Sequence, residues 1–111
     1  MSHNSMTRDF KKTLKVNDVL PGQMKAVEFE GEIVCIVNTG GKFYAINNVC
    51  THEGGPLAEG TLNEFEVECP WHGARFDVRT GEVKSPPAES PVSTYEIKID
   101  QDDIWMRKSV K

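Results

Sequence analysis

Along most of this chain apolar and polar residues alternate in short runs, and turn-forming residues interrupt them roughly every ten positions, the spacing of a sandwich or small barrel. Alternation with a period of two turns one face of a strand toward a core and the other toward water. The runs that read as strands cover residues 10–16, 24–28, 32–38, 42–47, 65–68, 74–77, 94–100 and 104–108. Gly40-Gly41 separates two of them as a tight hairpin does. Pro21-Gly22 and Thr80-Gly81 mark further turns, and Gln101-Asp102-Asp103 joins the last two runs. No stretch sustains an i, i+3, i+4, i+7 apolar pattern over three turns, so no long helix is expected. The pattern predicts an all-β domain, an antiparallel sandwich or barrel. There is no internal repeat and no low-complexity segment, and the polar residues 1–8 are expected to be poorly ordered.

One region departs from this rhythm. Residues 49–91 are rich in glycine and proline: Gly54-Gly55-Pro56, Gly60, Pro70, Gly73, Gly81, Pro86-Pro87 and Pro91. They read as a loop-rich insert mounted on a β scaffold, an arrangement in which loops commonly carry function. For Gly22 and Gly60 the expectation is an ordinary turn.

Composition narrows the class. At 111 residues, 38% hydrophobic and 27% charged, the chain suits one globular domain. Its longest apolar run, 33–37, is far short of the roughly 20 residues that span a bilayer, so no membrane association is expected. The first residues lack the apolar core of a secretory signal, and three cysteines cannot all pair, so a cytoplasmic protein without a disulfide framework is expected. A net charge of −4, with scattered lysines and arginines, gives no footprint for nucleic acid. Any partner that docks electrostatically is expected to be basic.

The chemistry lies in the insert. Cys50-Thr51-His52 and Cys69-Pro70-Trp71-His72 use two of the three cysteines and two of the three histidines. Metal ligation is the reading such a pairing suggests. A single tetrahedral zinc or iron bound by all four is one possibility. It strains the Cys-x-His arm, because both side chains must turn onto one ion at about 2.3 and 2.1 Å. The strain relaxes when each arm gives its cysteine to one iron and its histidine to another, as in a [2Fe–2S] centre with His₂ replacing Cys₂ on one iron. Of the remainder, Cys35 lies in an apolar run and reads as a buried, inert thiol. His3 reads as solvated, and Trp105 as core.

Cys50-Thr51-His52-Glu53-Gly54-Gly55 and Cys69-Pro70-Trp71-His72-Gly73-Ala74 resemble the two cluster-binding loops of Rieske iron–sulfur proteins, C-x-H and C-x₂-H separated by a short spacer. The resemblance covers residues 8–108 and is to the small soluble, dioxygenase-type Rieske ferredoxins. It implies a Rieske-type domain whose cluster-binding subdomain spans 46–88. It also implies one [2Fe–2S] cluster held by Cys50, His52, Cys69 and His72. Gly54, Gly55, Gly73 and Ala74 then lie around it, where glycine lets backbone N–H groups approach the sulfurs. Ser85-Pro86-Pro87 resembles the family's covering proline loop, with Pro86 against the cluster. Trp71, between two ligands, is expected to be partly exposed, as a plug or as a docking residue.

The resemblance also bears on redox behaviour. High-potential members carry one more cysteine in each loop, joined as a disulfide, and a Ser and a Tyr hydroxyl near the sulfurs. The matching positions here are Gly55 and Trp71, then Ala74 and Phe76. A centre near the bottom of the family's range of roughly −150 to +300 mV is therefore expected. Its potential is expected to fall in the alkaline range as the two imidazoles lose their outer protons. The implied role is one-electron transfer between a flavoprotein reductase and a terminal oxygenase or similar acceptor, by a monomer, with His52 and His72 reaching the surface. Glu53 and Glu59 would favour a basic partner there. The family's domain also occurs inside ring-hydroxylating oxygenases, but only His3 remains for a second, mononuclear iron, so catalysis by this chain alone is not expected. A colourless structural zinc protein is the remaining alternative. The ligand-lacking small subunit of nitrite reductases fits less well, since all four ligand positions are filled.

Overall fold

The computed structural model describes residues 10–51, 54–71, 73–86 and 90–109. Within them the chain forms β1 (Lys11–Lys15), β2 (Met24–Phe29), β3 (Glu32–Thr39), β4 (Lys42–Asn47), β5 (Thr61–Asn63), β6 (Glu66–Glu68), β7 (Arg75–Asp77), β8 (Val83–Ser85), β9 (Thr94–Asp100) and β10 (Asp103–Lys108). Single 3-10 turns stand at Val16–Asp18 and Leu57–Glu59. The runs expected at 42–47 and 94–100 are strands over those residues, and the other expected strands shift by a residue or two at their ends. β5 and β8 were not expected. Each lies on an edge of the second sheet and exists by hydrogen bonding to β6 or β7.

The strands form two antiparallel sheets, one in the order β1-β10-β9-β4-β3-β2 and one in the order β5-β6-β7-β8. The larger sheet curls until its edges face each other. Lys11 on β1 pairs with Glu30, just past β2, at 2.9 Å, and a groove of about 380 Å³ lies between the edges. The barrel is nearly closed.

β3 runs through the middle of the packing. Val34 and Ile36 point to one side, with Phe29, Ala45, Tyr95, Ile104 and Met106. Cys35 and Val37 point to the other, with Ile46, and meet Leu57, Val67, Ala74, Phe76 and Val78 from the second sheet and its loops. Burial on both faces explains why 34–37 is apolar without alternation, while Ile33 before them is exposed. Trp105 corrects an expectation. Alternation along β10 sends Ile104 and Met106 inward, and Trp105 stands half-buried on the opposite face beside Phe10 and Lys98.

The second sheet leaves the barrel and returns at one point. β4 pairs directly with β9 through Ala45↔Tyr95 and Ile46↔Thr94, and the Asn47 N–H donates to the Ser93 carbonyl at 2.9 Å. The second sheet and its loops are thus entered and left at neighbouring strand ends, and they are held to the scaffold as well by the Thr39 hydroxyl donating to the Glu64 carbonyl at 2.7 Å and by the shared core around Cys35 and Val37.

Candidate metal centre

Cys50 follows β4 by three residues, and Cys69 directly follows β6. Both are 3% exposed, neither is in a disulfide, and both belong to the apolar cluster formed with Leu57, Ala74 and Phe76. The two cysteines open loops of the same construction. The Cys50 N–H donates to the Gly55 carbonyl (2.9 Å), and the Gly54 N–H returns to the Cys50 carbonyl (2.8 Å). Likewise the Cys69 N–H donates to the Ala74 carbonyl (2.7 Å), and the Gly73 N–H returns to the Cys69 carbonyl (3.1 Å). Gly54 and Gly73 both close their loops at a φ of 80°, a conformation other residues adopt only with strain. The two loops thus share one backbone hydrogen-bonding scheme.

The loops meet at Gly55. A Cβ there would lie 2.6 Å from the Cys69 Sγ and 3.1 Å from the Trp71 ring, so with tryptophan at 71 a side chain at 55 would displace one or the other. Positions 55 and 71 therefore face each other, as the comparison with disulfide-bearing members implied. Gly60, expected to be an ordinary turn, is a second close approach, because a Cβ there would run into the Glu68 carbonyl. Trp71 is 56% exposed and Val49, across Gly54, is 48% exposed, so the arms carry an apolar outer surface.

Side chains that the sequence reading passed over secure the arms. Asn47 Oδ1 accepts the Val49 N–H at 2.9 Å, and Asn48 Oδ1 accepts the Ala58 N–H at 2.7 Å. The Asn48 carbonyl also accepts the Leu57 N–H. The Asn-Asn doublet at a strand end was the available signal, since asparagine side chains satisfy backbone groups where a ladder stops. The Thr51 hydroxyl donates to the Ser90 carbonyl at 2.7 Å. On the second arm, Glu68 and Arg75 are register partners and form an ion pair at 3.4 Å. β8 pairs Ser85 with Arg75, so exposed Pro86 starts beside the second arm while Ser90 ends against the first.

Titratable groups away from the loops have clear causes. Burial pushes the Cys35 thiol up to about 12, in keeping with an inert core cysteine. Arg79 donates to buried Asp77 from its backbone N–H, Nε and Nη2 at 2.8 to 3.1 Å, and holds that carboxyl below its usual range. Burial, with the Glu32 carboxylate beside it, pushes the Tyr95 phenol up to about 12. His3, His52, Glu53, His72 and Pro87 lie outside the described residues. Among the described residues no helix is long and apolar enough to cross a membrane.

Two buried thiols at the mouths of matched, glycine-closed loops define a small β protein built to hold an inorganic centre. The Rieske [2Fe-2S] domain model matches residues 9–96. The chain is 40% identical over 87 residues to the biphenyl 2,3-dioxygenase ferredoxin component of Rhodococcus jostii, covering 78% of this chain and 81% of that one. It is 36% identical over 94 residues to human apoptosis-inducing factor 3, covering 85% of this chain but only 16% of that protein. A structure titled as the complex of reduced oxygenase and oxidized ferredoxin in carbazole 1,9a-dioxygenase contains a chain that superposes with a TM-score of 0.86 at 30% identity, covering 93% of this chain and 98% of that one. This chain belongs to the Rieske [2Fe-2S] domain family, and its cofactor is one [2Fe–2S] cluster. The cysteine pair fits that group: two thiols beside a cradle that a single methyl at position 55 would fill.

Proposed function

We propose that this chain is a one-electron carrier, the ferredoxin component of an oxygenase system, with Cys50 and Cys69 holding one iron and His52 and His72 the other. The observation that carries this reading is the matched pair of cysteine loops meeting at Gly55. The bound cluster supplies a one-electron couple. Leu57, Ala74 and Phe76 keep water from the inner side of the thiols. Gly55 brings backbone close to the Cys69 sulfur, while Gly54 and Gly73 close the loops by donating to the Cys50 and Cys69 carbonyls, and Pro86 begins the segment that joins the two arms. Trp71 and Val49 offer an apolar contact to a partner. Similarity to a ferredoxin paired with an oxygenase supports an oxygenase as electron acceptor. The donor in this proposal is a flavoprotein reductase. The working form is a cytoplasmic monomer.

The centre is of low potential. Ala74 and Phe76 are wholly buried and carry no hydroxyl, so the sulfurs lack two donors that would stabilise added negative charge. The test is EPR of the dithionite-reduced protein, with iron and sulfide analysis and film voltammetry. The expected result is a mixed His/Cys signal and a midpoint below zero on the scale of roughly −150 to +300 mV. A colourless, zinc-loaded protein overturns the cluster assignment, and a midpoint well above zero overturns the low potential.

A further inference from the structure

We infer that Glu32 and Asn47 are positioning residues for the first cluster loop, acting through the Val49 N–H on the backbone that delivers Cys50. The inference rests on Cys50 being an iron ligand. Asn47, the last residue of β4, uses both ends of its amide. Its Nδ2 donates to Glu32 Oε1 at 2.8 Å, and its Oδ1 accepts the Val49 N–H at 2.9 Å. The amide can satisfy both only one way round, because Glu32 presents an acceptor and Val49 a donor. Glu32 therefore dictates which atom faces the loop.

Two elements hold Glu32 in that role, and a third only borders it. It opens β3, two residues from Val34, which pairs with Asn47. The Tyr95 hydroxyl, on a residue only 6% exposed, donates to the same Oε1 at 2.9 Å. Lys108 of β10 stands 3.8 Å from Oε2, at the exposed side. The barrel thus reaches the first arm through linked hydrogen bonds: Tyr95 and Asn47 both donate to Glu32, and the Val49 N–H donates to Asn47. Among the described residues the second arm shows no such relay, and Cys69 follows β6 directly and inherits its placement from the ladder.

The experiment compares Asn47→Ala, Glu32→Ala and Glu32→Gln in the loaded protein, with Lys108→Ala as the control. The readouts are the EPR g-values of the reduced centre, its midpoint potential, and hydrogen–deuterium exchange of the peptide carrying Val49. Glu32→Gln loses the charge but keeps an acceptor oxygen, whereas Glu32→Ala loses both. Asn47→Ala and Glu32→Ala are expected to shift the g-values and to speed exchange at Val49 about fivefold, as loss of one hydrogen bond does. Glu32→Gln is expected to keep wild-type g-values and exchange, and Lys108→Ala to change neither.

Equal potential shifts in both Glu32 variants with unchanged g-values and exchange would show a purely Coulombic role and overturn the inference. Lower thermal stability in Asn47→Ala with all three readouts unmoved would overturn it too. Should Glu32→Ala fail to fold, Asn47→Ala against Glu32→Gln still decides the matter. Absence of iron from the wild-type protein would sink the cluster assignment instead, and the exchange arm would then still read the relay.

Discussion

Glycine 55 shows how much of the centre depends on the absence of one carbon. Its missing Cβ leaves room for the Cys69 thiol and the face of Trp71, the two groups that close the second arm against the first. Overpacking of this kind costs about 1–3 kcal/mol where neighbours cannot retreat. Gly55→Ala is therefore expected to lower cluster occupancy about tenfold, read as iron per chain, while the barrel's far-UV circular dichroism is kept. Cys50, Cys69 and the two closing glycines were legible in the sequence because their chemistry is rare and their spacing constrained. Asn47, Thr51 and Gly60 were not, because a hydrogen bond to a backbone group or a collision with a distant carbonyl has no local signature.

Among the elements, the turn between β7 and β8 carries the second sheet's one buried carboxylate. Asp77 ends β7, its carboxylate caps the Arg79 N–H, and its carbonyl accepts the Gly81 N–H at 2.7 Å. The Arg79 guanidinium lies 4.3 Å over the Phe65 ring, tying the turn to the loop before β6. Because Arg79 lowers the folded-state pKa of Asp77, its stabilisation is complete above the ordinary value of 3.8 and is lost as pH falls through the folded value. Asp77→Asn is expected to lower Tm by about 5 °C at pH 7, with the gap to wild type closing below pH 3.8 in thermal scans. Long strands such as β4 and β9 could be read from alternation. β6 and β7 were also legible, but their outer neighbours β5 and β8 were not, for those are defined by the partners they find.

For the molecule as a whole, the separation of scaffold and loops matters most. The barrel has its own core around Val34, Ile36, Ile104 and Met106, and the loops share a second core with Cys35, Val37 and Ile46. The outer surface of the arms is left to Val49 and Trp71, on a chain of net charge −4. An aromatic side chain exposed at the centre of a docking surface typically contributes enough to change affinity about tenfold. Trp71→Ala is accordingly expected to raise the KM of a reductase or oxygenase for this protein about tenfold in a steady-state assay. An unchanged midpoint potential in the same variant separates docking from tuning of the centre.

The primary structure alone determined the all-β class, the longer strands and the four side chains proposed as ligands. Those properties follow from side-chain chemistry and from periods of a few residues. Tertiary structure decided that the two loops share one hydrogen-bonding scheme, that Gly55 and Trp71 face each other, and that Trp105 turns away from the core. It also decided that a glutamate on β3 orients an asparagine on β4. Each of these joins residues far apart in the chain, and such contacts form only once the barrel has brought its strands into register.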